Sequence, residues 1–280
     1  MTTRPTHWLA AVRAWWKFRS YRPIKVTPRL VISWLGQYPS EARSDLLRLL
    51  EDVQFLDERF VTRALIEQND RILTDLRSDG VSLKNVIYVQ HDDAASSSPV
   101  MLNLLRDGAR LERSGAKFID GRDQLRLSEV TAELNIGGII YVDDFAGSGT
   151  QFIGNRAWTS QFIAGSFSEF FLGVVICEEA FLPIQSAGVV PRAAIIHRPN
   201  ERPLYSDCSS LDGESRVRLL ELGKTLDKKY PLGFKNFGTN IVFYRNAPNS
   251  TPLLLRGNVT QHPKFGVLPR TTDLPAYEDL

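Results

Sequence analysis

The sequence predicts an α/β protein, a parallel sheet flanked by helices. Three observations carry that expectation. Short apolar runs alternate with helical stretches from about residue 80 to 200, the pattern that βαβ crossovers impose. Of 280 residues, 43% are hydrophobic and 24% charged, with 34 basic side chains against 32 acidic; that balance excludes a disordered chain. One hydrophobic run ends in two adjacent carboxylates and a glycine-rich turn, which suits the carboxyl edge of a parallel sheet, where ligands bind.

Each element has a local signal. Leu9, Val12, Trp16 and Arg19 recur at helical spacing and predict a short helix ended by Pro23. Ser40 is placed as an N-cap, with Arg43 leaving its capping box incomplete. Leu46, Leu47, Leu49, Leu50 and Val53 form an apolar face, and a second helix follows Asp57 with Phe60, Ala64, Leu65, Ile72 and Leu76. Gly80 breaks it. Strands are expected at 86–89, 117–119, 139–142, 171–176, 193–196 and 240–244, and helices at 101–111, 152–162, 178–185 and 212–229, the last capped by Asp212. The tail from Thr260 is proline-rich and reads as irregular. These signals divide the chain into a helical N-terminal region (1–78), an α/β core (79–200) and a C-terminal cap (201–280) that completes the domain.

Composition excludes other classes. Two cysteines, Cys177 and Cys208, rule out a disulfide scaffold and a cysteine-only zinc site; a reduced, cytoplasmic setting is the expectation. No window approaches the ~20 apolar residues of a membrane span. Arg4, Arg13, Lys17, Arg19, Arg22, Lys25 and Arg29 all precede the first acidic residue, Glu41, and Trp8, Trp15, Trp16 and Trp34 are interleaved with them. That mixture suits a nucleic-acid or membrane-surface contact; the plainer reading is a basic helix docked on the body or on a partner protein.

The chemistry lies in Ile139-Ile-Tyr-Val-Asp-Asp-Phe-Ala-Gly-Ser-Gly-Thr-Gln151. Gly147 and Gly149 permit positive φ and close approach of a ligand to the backbone. The turn's amides and the following helix N-terminus make an anion site, and Ser148 and Thr150 add hydroxyl donors. Asp143 and Asp144 cannot bind phosphate. They can accept hydrogen bonds from vicinal hydroxyls or help hold a divalent cation. An anion cradle beside a diol acceptor reads as a sugar-phosphate site.

This run resembles the phosphoribosyl pyrophosphate signature of type I phosphoribosyltransferases. The resemblance implies that Asp143 and Asp144 are the catalytic pair, holding the ribose hydroxyls, and that Gly147, Ser148, Gly149, Thr150 and Gln151 wrap the 5′-phosphate. It also implies Mg²⁺ bridging pyrophosphate and ribose oxygens, met by Asp143 and Asp144 only through the substrate. More broadly, Trp34-Leu-Gly-Gln-Tyr-Pro39, the acidic core and Val242-Phe-Tyr-Arg-Asn-Ala-Pro-Asn-Ser-Thr-Pro252 look like the phosphoribosyltransferase-like proteins of bacterial anti-phage systems, including some retron operons. That likeness implies an effector or accessory in defence, transferring ribosyl phosphate to an unnamed acceptor or serving as an inactive nucleotide-binding scaffold or sensor. Its partners would be proteins or nucleic acid reached through residues 1–40, with room for an oligomer. Gly147 stands where many purine-salvage members carry an acid, and Gln151 where a threonine often closes the loop, so binding is implied ahead of catalysis.

Asp-Phe-Ala-Gly-Ser-Gly-Thr also resembles the S-adenosylmethionine loop of amino-methylating DNA methyltransferases, but the sequence has no acid, Asn or Ser followed by two prolines and an aromatic. Secondary site candidates share the sheet edge. His91 and Asp92 end the first core strand and suit magnesium or general-base chemistry, and Ser96 and Ser97 lie in the loop that, by the phosphoribosyltransferase resemblance, would handle pyrophosphate. His197 and Arg198 end the fifth strand. Asn246 and Asn249 enter only through the resemblance; by residue type they are loop formers.

Overall fold

The computed structural model describes residues 5–91, 96–133, 135–163, 165–205, 211–257 and 264–274. In chain order its elements are α1 (Pro5–Lys17), α2 (Pro28–Gly36), α3 (Arg43–Glu51), β1 (Gln54–Leu56), α4 (Glu58–Ser78), β2 (Val86–Gln90), α5 (Ser97–Gly108), β3 (Lys117–Asp120), α6 (Gln124–Glu133), β4 (Gly138–Val142), β5 (Phe145–Ala146), α7 (Thr150–Thr159), β6 (Ser168–Cys177), α8 (Glu178–Ser186), β7 (Val190–His197), α9 (Gly213–Lys224), β8 (Ile241–Phe243) and α10 (Leu253–Arg256). They form two compact units: Met1–Glu58 with Arg198–Leu280, and the contiguous Arg59–His197. Residues 59–78 therefore cluster with the sheet-bearing segment, and both chain ends build the other unit.

The contiguous unit is the predicted α/β sheet. Its strands pair in the order β3-β2-β4-β6, all parallel, with β5 and β7 also on β6. All residues of β4, and eight of ten in β6, are buried, as expected of strands covered on both faces. On one face Ile87, Val89, Ile139, Tyr141 and Phe171 pack with Leu127, Phe152 and Ile184 from α6, α7 and α8. Towards α4, the Tyr88 hydroxyl donates to Asn69 Oδ1 at 2.8 Å. An ion pair ties this unit's site helix to its sheet. Arg156 of α7 meets Glu169 of β6 through Nε at 2.9 Å and through Nη2, and the Tyr141 hydroxyl of β4 donates to the same carboxylate at 2.9 Å.

The discontinuous unit is helical apart from the parallel pair β1–β8. Thr27 caps α2 by accepting from the Leu30 amide at 3.1 Å. Trp34 is fully buried and its indole N–H donates to the Leu254 carbonyl at 2.9 Å. The buried Asp45 carboxylate joins α3 to α9, accepting from Ser215 Oγ at 2.9 Å and from Arg218.

Several expectations shift. Helix α5 starts at Ser97, not 101, so Ser97 and Ser98 belong to its first turn. The helix capped by Asp212 stops at Lys224, because the Asp227 carboxylate takes the amides of Lys229 and Tyr230 and turns the chain. The strand read at 193–196 runs from Val190 to His197. Helices α2, α6 and α10 and the short strands β1 and β5 are additions to the predicted set.

Candidate functional site

The sheet reverses its direction of winding between β2 and β4. From β2 the chain goes outward to β3, and from β4 it goes the other way to β6. Such a switch point opens a crevice at the carboxyl ends of the two strands, and the acidic run lies there.

Asp143 and Asp144 are a two-residue bend between β4 and β5 that stays registered on β6. Val142 pairs with Leu172 before the bend and Phe145 with Val175 after it. The Asp143 amide donates to the Leu172 carbonyl at 3.0 Å, and the Asp144 carbonyl accepts from Val174 and Val175 at 3.1 and 3.0 Å. The backbone under both half-buried acids is thus fixed to a central strand. Asp143 Oδ1 accepts from the Ser97 hydroxyl at 2.5 Å and from the Asp144 amide at 2.8 Å, so that oxygen shapes the bend. Ser98 bridges the two strand ends: its hydroxyl donates to the Val142 carbonyl at 2.6 Å and accepts from the His91 amide at 3.0 Å. The resemblance points to Ser96 and Ser97 but not to Ser98; the three-serine run before a helix is the available signal.

Past the acids, Gly149 has φ 72° and ψ −9° and is the N-cap of α7, with no side chain capping it. A Cβ there would meet Ile184 Cγ1 at 3.3 Å and Ala180 Cβ at 3.5 Å, so both conformation and packing against α8 favour glycine. Among the described residues, no backbone carbonyl accepts from the amides of Gly147, Ser148 or Gly149. The Ser148 and Thr150 hydroxyls lie 2.9 Å apart, and Gln151 is exposed on the first turn of α7. These amides and hydroxyls thus lie at the N-terminus of α7, a few residues past the two carboxylates, and a helix N-terminus favours negative charge.

A cavity of about 570 Å³ adjoins this spot, lined by His91, Ser96, Gly121 and Arg122 at the ends of β2 and β3 and by Gln151, Asn155, Trp158 and Thr159 along α7. His91, Gln151 and Asn155 also line a narrow cleft that holds Asp143. The His91 ring is buried, with Nε2 3.0 Å from Thr159 Oγ1 and its centroid 5.0 Å from that of Tyr141. It braces α7 against the β2 end. A Cβ on Gly121 would come within 2.6 Å of His91 Cδ2 and 3.0 Å of the Gln90 carbonyl, so only glycine lets the β3 turn close on that ring. At the rim the Arg122 guanidinium hydrogen-bonds Asp120 at 3.0 and 2.7 Å and holds its carboxyl below the usual range.

The remaining candidates separate. Asp92 lies outside the described residues. His197 is buried at the end of β7, in register with the buried thiol of Cys177 on β6. Arg198 opens the other unit, and its amide donates to Glu201 Oε2 at 2.7 Å. Asn246 and Asn249 are also in that unit. Asn246 exchanges backbone hydrogen bonds with Phe243 and accepts from the Thr271 amide at 3.2 Å. The Asn249 carbonyl accepts from Phe234 at 2.9 Å and Arg256 at 3.0 Å. In these bonds both shape loops. Among the described residues no group of three or more His, Cys, Asp or Glu side chains is placed to hold a metal.

A parallel sheet with a twin-acid bend and an open-amide turn at its switch point defines a type I phosphoribosyltransferase-like protein. The family comparison makes that specific: the PRTase-CE family model matches residues 31–266, and the chain belongs to that family. No curated protein matches. Similar solved structures include the HGPRT-ase of Leishmania tarentolae in complex with GMP, 13% identical, covering 51% of this chain and 80% of that one with a TM-score of 0.36. The orotate phosphoribosyltransferase of Aeropyrum pernix is 17% identical, covering 46% of this chain and 72% of the other, with a TM-score of 0.28. Membership rests on the family match rather than on these distant likenesses. No helix among the described residues is long and apolar enough to cross a membrane.

Proposed function

We propose that the chain binds phosphoribosyl pyrophosphate, or a related nucleotide, at the carboxyl ends of β2 and β4, and transfers ribosyl phosphate to an acceptor as an effector in anti-phage defence in the cytoplasm. The observation that carries this reading is the row of amides at 147–149 that no backbone carbonyl takes among the described residues, set at the N-terminus of α7 just past Asp143 and Asp144. The turn would anchor the 5′-phosphate with Ser148 and Thr150. Asp144, on a backbone held by β6, would accept from the ribose hydroxyls, and Asp143 would hold the bend through Ser97. In the transfer the bond between the anomeric carbon and pyrophosphate breaks, pyrophosphate leaves with the electron pair, and the acceptor's lone pair forms the new bond. The carboxylates then lie near the cationic sugar of the transition state, where fixed negative charge is most effective. Mg²⁺ held on the ligand's oxygens would supply charge neutralisation of the pyrophosphate.

Calorimetric titration with phosphoribosyl pyrophosphate, wild type against Asp144→Asn, tests the site. Losing a charge-assisted acceptor is expected to weaken binding by roughly ten-fold or more; identical heats would remove Asp144 from the site. A sensor that binds without transferring would show the same heats but no pyrophosphate release on addition of candidate acceptors.

A further inference from the structure

The first helix is built inside out. Its inner face is small: Ala10, Ala11 and Ala14 are buried against the unit that the chain ends form. Its large apolar side chains face solvent instead. Trp8 is 46% exposed, Leu9 64%, Trp15 38% and Trp16 57%. With partly exposed Val12 they fall within about 120° of arc at 100° per residue, one continuous stripe. Four large apolar side chains on one face are a patch that calls for an occupant. Helix α1 also precedes the family match, which begins at residue 31.

The surrounding charge selects the occupant. Arg13 and Lys17 engage Glu51, and Arg22 pairs with Glu58. The Arg19 guanidinium lies over the Trp16 ring at 4.8 Å, at the edge of the stripe. Lys25 and Arg29 are exposed in the segment that follows. Arg19, Lys25 and Arg29 have no acidic partner among the described residues. A second copy of the chain on this face would set like charges against each other across a two-fold axis. Single strands of nucleic acid favour a basic groove with stacking platforms, whereas this stripe is the convex side of a helix and includes aliphatic residues. Indoles that keep an apolar body and a polar N–H, one of them under the Arg19 guanidinium and with Lys25 and Arg29 exposed further along the same basic segment, match the boundary layer of a bilayer.

We propose that the outer face of α1 docks on an anionic lipid surface, with Trp8, Leu9, Trp15 and Trp16 entering the headgroup layer and Arg19, Lys25 and Arg29 meeting lipid phosphates. Flotation of the full chain with phosphatidylcholine vesicles, with and without phosphatidylglycerol, tests it. Wild type is expected to float with the mixed vesicles only, to be released by salt, and to show a blue shift of tryptophan emission on binding. The Trp8→Ser/Trp16→Ser variant should bind at least about ten-fold more weakly. Removing the three charges in Arg19→Gln/Lys25→Gln/Arg29→Gln should cost roughly five-fold each, about a hundred-fold together. All these side chains are exposed, so circular dichroism melts matching wild type will show the variants folded. The proposal is overturned if wild type does not float, if both variants float like wild type, if a solution dimer dissolves in Trp16→Ser, or if a single-stranded oligonucleotide binds more tightly than the mixed vesicles.

Discussion

Glu169 is the residue whose removal should reach the site without touching it. Its carboxylate receives the Arg156 guanidinium from α7 and the Tyr141 hydroxyl from β4, so one side chain of β6 holds both elements that carry the proposed binding groups. The Arg156 and Glu169 side chains are 24% and 10% exposed. Breaking a buried pair by deleting one partner costs about 3–5 kcal/mol; with a quarter of the guanidinium still reached by water, about 2–3 kcal/mol is expected for Glu169→Ala. In a unit of this size that corresponds to a fall of roughly 6–12 °C in melting temperature. Glu169→Gln keeps the acceptor geometry without the charge and should lose roughly half as much. The assay is thermal and urea denaturation of Glu169→Ala, Arg156→Met and the double variant, because a double-mutant cycle isolates the pair. A coupling below about 0.5 kcal/mol, or a Glu169→Ala melt within about 2 °C of wild type, would refute the role given to this pair.

Gly149→Ala places a Cβ at a left-handed residue and should destabilise by about 1–2 kcal/mol. If the turn is re-aimed, phosphoribosyl pyrophosphate affinity falls more than stability does; a melt and a titration on the same sample compare them, and unchanged values for both would refute the account of this turn. Alkaline pH should unfold the chain. Burial raises the hydroxyls of Tyr21, Tyr38, Tyr88 and Tyr141, Tyr38 to about 12, whereas unfolded tyrosine titrates near about 10. Because the folded pKa lies above the unfolded one, stability is intact below about pH 10 and falls by up to roughly 1.4 kcal/mol per pH unit for each such tyrosine between about pH 10 and 12. Denaturant midpoints against pH, followed with tyrosinate absorbance, check this; tyrosinate appearing at these four positions while the fold persists would contradict it.

The α/β pattern was legible because buried parallel strands leave uninterrupted apolar runs, and the turn after β4 because two acids and two glycines end such a run. What escaped has physical reasons. Helix α6 turns Leu127 and Val130 inward but leaves Leu125 71% exposed, so its apolar spacing is blurred. Strands β1 and β5, three and two residues long, are shorter than any periodicity, and only pairing with a distant strand defines them. Tryptophans of one basic segment divide into a fully buried Trp34 and exposed Trp8, Trp15 and Trp16, a distinction set by tertiary contacts alone. For the same reason the sequence places His91 at the end of its strand but does not show that its ring is buried against α7.

Interleaving of the two units also orders events during synthesis. Strand β1 at residues 54–56 pairs with β8 at 241–243, and Trp34 waits for the carbonyl of Leu254. At roughly 5–20 residues per second, the first helices leave the ribosome some ten to forty seconds before their partners exist. The intervening segment, contiguous in sequence, has every strand of its own sheet by residue 197. It can assemble while Trp34 and strand β1 still wait for the carboxyl-terminal segment that completes their unit.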